Sequence, residues 1–171
     1  SRAMKPAPFR LETPSNLEEC VALLKEHGDE AKILAGGQSL VPLMNLRLAQ
    51  PSVLLDINGL TNLDYAEEGQ QSFRIGAITR LRALERDPNL AESQPLLAEA
   101  LPYIGHIQIR NRTTVGGCMA HADPSAELPA VLLACGGTVN SVGPNGERKI
   151  PASNFFHSYF TTDLEDDEAI A

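Results

Sequence analysis

Between residues 14 and 58 the apolar positions recur first at helical spacing and then in short strand-like runs. PSNLEECVALLKEHG (14–28) sets Leu17, Val21 and Leu24 on one face, which predicts a helix. Ser15 followed three residues later by Glu18 has the spacing of a capping box, and Gly28 supplies a C-terminal stop. KILA (32–35) then reads as a short buried strand, and VPLMNLRLA (41–49) as a helix that tolerates Pro42 in its first turn. VLLDI (53–57) is a second apolar strand. The three segments predict a β-turn-α-β unit, in which a ligand sits at the carboxyl end of the strand.

The texture changes after Gly59. LDYAEEGQQSFRIGAI (63–78) predicts a hairpin turning at Glu68–Ser72, and Thr79 is placed to cap a helix through Arg86. Residues 95–105 form a further helical run interrupted by Pro102, and PSAELPAVLLAC (124–135) reads as an apolar helix opened by Pro124. GTVNSV and RKIP flank GPNG, which has the turn chemistry of a hairpin. The aromatic-rich SNFFHSYFTT (153–162) is expected to pack under the sheet. Two subdomains follow from this reading, 4–58 and 59–171, with a cleft between them.

Composition narrows the function classes. The 171 residues are 43% hydrophobic, enough for one core or for two small cores sharing an interface. Twenty-two acidic against 14 basic residues give a net charge of −8, the wrong sign for a nucleic-acid partner, and no basic stripe offsets it. The acidic run DLEDDE (163–168) reads as a solvated, frayed end. No apolar stretch is long enough to span a bilayer, and no apolar leader is visible; Met4 reads as a natural start behind three added residues. The three cysteines, Cys20, Cys118 and Cys135, are odd in number and lack CxxC spacing, which points to a reducing cytoplasm. Cys20 and Cys135 fall within helical apolar patterns and read as small core residues.

The candidate chemistry lies in two double-glycine phrases, ILAGGQSL (33–40) and TTVGGCMAHADP (113–124), each read as strand, turn, then helix. Such a pair admits backbone angles closed to other residues and lets an anion approach main-chain N–H groups. Gly36, Gly37, Gln38, Ser39 and Leu40 can present successive amides to a phosphate, with Ser39 adding a hydroxyl or capping the helix. Thr114, Gly116, Gly117 and Cys118 can do the same, so two donor sets can close on one pyrophosphate. Ordinary tight turns are the alternative. There is no GxxxxGK[ST] and no GxGxxG opening a helix, so neither common nucleotide fingerprint is present. His121 and Asp123 lack a third metal ligand on the loop; hydrogen bonds to ribose or to the loop's own backbone are the better reading. Glu127 can meet a ribose or simply favour the helix dipole. Arg110 and Arg112 are most simply surface charges, and no base accompanies Cys118 to make it a nucleophile.

AKILAGGQSLVPLMNLRLAQPSVLLDIN and IQIRNRTTVGGCMAHADPSAELPAVLLA resemble the FAD-binding medium subunit of molybdenum hydroxylases. That family includes aerobic carbon monoxide dehydrogenase and the flavin portion of xanthine dehydrogenase, and the similarity runs from KPAPF to FTTDLEDDE. The resemblance implies an α+β, two-subdomain FAD-binding fold of the vanillyl-alcohol-oxidase-like (PCMH) type. It implies FAD contacts at Ile33, Leu34, Ala35, Gly36, Gly37, Gln38, Ser39 and Leu40, with Thr114, Gly116, Gly117 and Cys118 closing from the other side. Asp123 and Glu127 match positions near the ribose and adenosine, and Ile104 a hydrophobic position beside the cofactor. No catalytic acid, base or metal ligand is implied. The implied role is an electron-transfer subunit, not active alone, that passes electrons from [2Fe–2S] clusters to an external acceptor. Its implied partners are a molybdopterin-containing large subunit and a [2Fe–2S] small subunit.

The chain departs from the family pattern at Thr113 and Ser158, where glycine is usual, at Cys118 for asparagine, and at Glu127 for aspartate. Family members also continue for roughly another domain-sized segment, so with the C-terminal domain of the family absent from this sequence the chain reads as an isolated FAD domain, a fragment or a processed piece. These departures leave an assembly module without effective FAD binding as the alternative reading.

Overall fold

The computed structural model describes residues 4–171, so the reading of the residues before Met4 lies outside the described residues. Strands β1 (Arg10–Glu12), β2 (Ala31–Leu34) and β3 (Val53–Asp56) form a parallel sheet in the order β1-β3-β2. Helix α1 (Leu17–His27) crosses between β1 and β2, and α2 (Leu40–Asn45) leads from β2 towards β3. The predicted cap is displaced by one residue. Asn16 is the N-cap, its side chain accepting from the Glu19 N–H, while the Glu19 carboxylate accepts from the N–H and hydroxyl of Ser15. Gly28 ends the helix at φ +56°, a left-handed geometry that suits glycine.

Beyond Gly59 come the hairpin β4 (Ala66–Glu68) and β5 (Phe73–Ile75), and then a run of short helices. These are α3 (Leu81–Glu85), α4 (Leu90–Ser93), α5 (Pro95–Ala100), α6 (Ile107–Arg110), α7 (Val115–His121) and α8 (Glu127–Ala134). Strands β6 (Thr138–Gly143) and β7 (Gly146–Pro151) pair across the predicted turn. They are followed by α9 (Ala152–Phe155), the small pair β8 (Phe156–Ser158) and β9 (Thr161–Thr162), and β10 (Ala169–Ile170), which returns to the free edge of β6. This α+β architecture holds two packed cores. One gathers Cys20, Leu24, Val53, Leu55 and Ile57 with Leu60, Leu63, Ile78 and Ala169; the other gathers Leu81, Leu84, Leu101, Met119, Leu128 and Phe155.

Several expectations change on folding. Thr79 does not cap α3; its buried hydroxyl instead ties both backbone groups of Tyr65, donating to the carbonyl and accepting from the N–H. Cys135 is exposed at the end of α8, whereas Cys20 is buried as expected. Phe155 is fully buried, but Tyr159 and Phe160 stand out from the β8–β9 turn, 76% and 58% exposed. Run 163–168 is anchored rather than frayed. Arg148 grips Glu168 through two nitrogens and bonds both the side chain and the carbonyl of Asp163, and this delivers β10 to the sheet.

Arg110 is likewise no surface charge. It is buried, forks onto Glu85 at 2.9 and 3.1 Å, and donates to the carbonyl of Gly105 at 2.8 Å. This fixes the turn that carries Ile104. The Arg110 hydrogen bond, and then that of Arg82, holds the Glu85 carboxyl below its usual range. Among the described residues no helix is long and apolar enough to cross a membrane.

Two outcomes follow from these anchors. Arg110→Met leaves the enclosed Glu85 carboxylate without its main partner and should cost about 3 kcal/mol in urea denaturation. Glu168 is held below the ordinary carboxylate range by its hydrogen bond to Arg148. Its contribution is therefore complete above that ordinary range and disappears as pH falls through the lowered value. The urea midpoint of the wild type should consequently fall more steeply in acid than that of Arg148→Met.

Candidate functional site

The carboxyl end of β2 opens into a cleft of about 690 Å³ between the two cores. That volume lies within the usual range for small-molecule sites, roughly 300–1,000 Å³. Ile33, Ala35, Gly36, Gly37, Ser39 and Leu40 line one wall. Ile104, Thr114, Gly116, Gly117, Cys118 and Asp123 line the facing one. The fold therefore brings the two glycine phrases to one cavity, although 80 residues separate Gly36 from Gly116.

The two loops touch. A side chain at Gly36 would collide with the carbonyl oxygen of Arg112 and lie 3.1 Å from the Cα of Thr113. Gly37 sits at φ +70°, where a side chain would be strained. The chain thus turns out of β2 with its backbone exposed to the cleft. Among the described residues, none accepts a hydrogen bond from the N–H of Gly36, Gly37, Gln38 or Ser39. The Ser39 hydroxyl makes no capping bond to α2, so it too remains available to a ligand.

The second phrase is built differently from its sequence expectation. It is entered from helix α6 rather than a strand, and Gly116 and Gly117 lie inside α7. Its N–H groups are already engaged: Val115 donates to the Thr79 carbonyl, Gly116 to that of Ala77 at 2.8 Å, and Gly117 to the Thr114 hydroxyl at 3.2 Å. Gly116 is glycine because Ala77 packs against it; an added Cβ would lie 2.8 Å from the Ala77 carbonyl oxygen. The free donors are therefore on the first loop, and the second supplies a smooth, close wall.

The remaining predicted residues separate into rim, wall and periphery. The Cys118 thiol lines the cleft, and burial, reinforced by the charge of Glu127, pushes its pKa up to about 11, so it stays protonated and unreactive. Asp123 closes its own loop, Oδ1 accepting from the hydroxyl and N–H of Ser125 at 2.7 and 2.8 Å. Those bonds hold its carboxyl below the usual range, and Oδ2 has no partner among the described residues. Leu34, Gln38 and Glu127 do not line the cleft. The Gln38 amide folds back on the Gly36 carbonyl at 3.3 Å, and Glu127 is exposed at the start of α8.

A third wall comes from Phe160, Thr161 and Thr162, which sequence reasoning assigned to packing, and from Leu164, in the run it read as a frayed end. Phe160 adopts φ +55°, unusual for a bulky residue, donates its N–H to the Ala122 carbonyl at 3.1 Å, and sets its ring 5.1 Å from that of His121. Nothing in the composition of 153–162 distinguishes the outward aromatics from the buried Phe155. Among the described residues the lining carries Asp123, Glu165, Asp166 and Glu168 against one lysine or arginine, Lys32. An anion here would accordingly be held by main-chain N–H groups rather than by a cluster of basic side chains.

Residues 7–171 match the family described as "FAD binding domain in molybdopterin dehydrogenase". Among curated proteins, the chain is 44% identical over 167 residues to the 6-hydroxypseudooxynicotine dehydrogenase complex subunit alpha of Paenarthrobacter nicotinovorans, a match covering 98% of this chain and 56% of that one. It is 42% identical to the carbon monoxide dehydrogenase medium chain of Hydrogenophaga pseudoflava, over 98% of this chain and 58% of the other. Among solved structures, that organism's carbon monoxide dehydrogenase lacking the Mo-pyranopterin moiety superposes with a TM-score of 0.94 at 42% identity, over 96% of this chain and 57% of that one. Quinoline 2-oxidoreductase from Pseudomonas putida 86 superposes with a TM-score of 0.93 at 34% identity, over 97% and 58%. The chain spans a little over half the length of these relatives.

The contact between the loops is open to a direct test. Gly36→Ala inserts a methyl group against the Arg112 carbonyl and should destabilise by roughly 1–3 kcal/mol, the usual cost of overpacking. Gly59, whose added Cβ would meet nothing within 4 Å, is the control; Gly59→Ala should leave the denaturation midpoint unchanged or slightly raised.

Proposed function

The chain belongs to the family of FAD-binding domains in molybdopterin dehydrogenases, and from that premise we propose that it serves as the flavin-bearing, electron-transfer part of a molybdenum hydroxylase-type dehydrogenase. One observation carries the reading. Among the described residues no group accepts from the N–H of Gly36, Gly37, Gln38 or Ser39, and Gly36, Gly37 and Ser39 line a cleft whose opposite wall carries no side chain at Gly116 and Gly117. Such a backbone nest suits a dianionic linkage, and the lack of a competing basic cluster leaves the N–H groups as the principal anchor.

The residues fit this cofactor in distinct ways. The first loop and the Ser39 hydroxyl bind the diphosphate, and Thr114 with the two glycines of α7 lets it lie close to the backbone. Ile33, Ala35, Leu40 and Ile104 supply apolar contact to the ring portions, while the free oxygen of Asp123 accepts from a ribose hydroxyl. The protonated Cys118 thiol is a weak donor and contributes mainly shape. Subdomains 4–58 and 59–171 are the two jaws of this arrangement. Bound FAD supplies the redox chemistry, taking up electrons and releasing them. The chain holds the cofactor and excludes water around it, with no acid or base of its own.

In this reading the chain acts within a complex and not alone. A molybdopterin-containing large subunit would turn over the substrate and a [2Fe–2S] subunit would supply the electrons that pass through this chain to an external acceptor, in a reducing cytoplasm. The names of its relatives, dehydrogenase subunits, favour this over an assembly module without cofactor.

The test is flavin stoichiometry. The purified chain should carry or take up FAD at close to one per chain. Ser39→Asp places a carboxylate beside the diphosphate at a helix N-cap, where aspartate is otherwise favourable. It should weaken FAD binding tenfold or more, read by flavin fluorescence quenching, without lowering the unfolding temperature. A wild-type chain that retains no flavin at saturating FAD would sink the proposal.

A further inference from the structure

Neither glycine loop is held by its own residues alone. Behind the first, and outside the cleft lining, the Asn58 side chain donates through Nδ2 to the carbonyl of Ala35 at 2.9 Å, one residue before the glycine pair. Asp56 orients that amide, its Oδ1 accepting from Asn58 Nδ2 at 2.7 Å and from the Asn58 N–H at 3.0 Å. The amide oxygen is taken by Arg80, whose Nη2 donates to it at 2.5 Å.

Arg80 in turn belongs to the second loop's scaffold. Its backbone forms an antiparallel bridge with Thr114, the N-cap of α7. The residues either side of it bond the same segment, Leu81 N–H to the Thr113 carbonyl and Val115 N–H to that of Thr79, both at 3.0 Å. Arg80 is partly enclosed, its Nη1 without a partner among the described residues and burial lowering its pKa against the opposing charges of Asp64 and Asp56. A desolvated cation with one of its nitrogens unpaired is an expensive structural filler, and its geometry is satisfied chiefly through Asn58.

We infer that Asn58 and Arg80 are positioning residues for the cofactor: they form a strut from the Ala35 carbonyl to the N-cap of α7 that sets the spacing of the two glycine loops. The inference rests on the FAD reading above. The Gly36–Arg112 contact limits how closely the loops approach, and the strut limits how far they part. Holding both limits before binding spares the ligand the cost of ordering the loops. Neither residue touches the cleft, so their effect on affinity passes through the loops alone.

The experiment compares FAD dissociation constants and apo unfolding temperatures of the full chain, after confirming that the wild type binds FAD. Asn58→Leu and Arg80→Met should each weaken FAD binding tenfold or more and alter the visible circular dichroism of the bound flavin. The double variant should bind no more weakly than either single one, because both break the same connection. Arg80→Lys, which keeps a charged donor within reach of Asn58, should recover most of the loss. If Asn58→Leu does not fold, Asn58→Asp retains the oxygen facing Arg80, loses the donor to Ala35, and should show the same weakening. Lowered unfolding temperatures with unchanged dissociation constants would overturn the strut, as would strictly additive effects. Failure of the wild type to bind FAD would instead overturn the functional reading on which it rests.

Discussion

The contact of Gly36 with the Arg112 carbonyl is the constraint on which the site depends. Backbone meets backbone there with no room for a side chain, so the loop after β2 and the segment before α7 are packed as one surface. Two consequences follow. The first loop lines the cleft, and its N–H groups from Gly36 to Ser39 have no acceptor among the described residues. The second loop is pressed against Ala77 and Thr79, which consume the first N–H groups of α7. An apparent symmetry between two glycine pairs becomes a division of labour, with donors on one side and a close, side-chain-free wall on the other.

The same economy governs the edges of the cleft. The C-terminal segment is held by Arg148 gripping Glu168 and Asp163, and this brings β10 to β6 and Ala169 into the first core. Phe160, Thr161, Thr162 and Leu164 become a third wall as a result. Arg110 plays the corresponding role under Ile104, trading the desolvation of a guanidinium for a fixed turn, a trade that works only because Glu85 and three carbonyls complete its hydrogen bonds. Each wall is thus fixed by a buried or half-buried arginine standing behind it: Arg80, Arg110 and Arg148.

Much of this was legible where short-range physics decides. The periodicity of Leu17, Val21 and Leu24, the stop at Gly28 and the turn at GPNG appear where expected, because near neighbours determine them; the β-turn-α-β unit forms too, but its helix ends at Asn45 rather than at Ala49. Departures occur where distant groups compete. Glu19 rather than Glu18 completes the α1 cap, since Asn16 outcompetes Ser15 for the N-cap position. Thr79 is drawn off its helix by Tyr65, and acidic run 163–168 is ordered by an arginine some 15 to 20 residues earlier. That Gly36, Gly37, Ser39, Thr114, Gly116 and Gly117 share one cleft was readable from the two glycine phrases and the resemblance. That Gln38 folds back on its own loop and that Phe160 faces the cleft were not.

By itself the sequence determined the family, the α+β class, the acidic net charge, and the position of the two glycine pairs. The family came from the resemblance of two whole segments; the charge, the helix and strand pattern and the turns are properties of composition, periodicity and local chemistry, set by residues within a few positions of one another. Only the tertiary structure decided which N–H groups are free, that the two loops touch, and that Asn58 and Arg80 stand behind them. Whether a hydrogen-bond donor is available depends on acceptors brought by segments tens of residues away, and that information exists only once the chain has closed on itself.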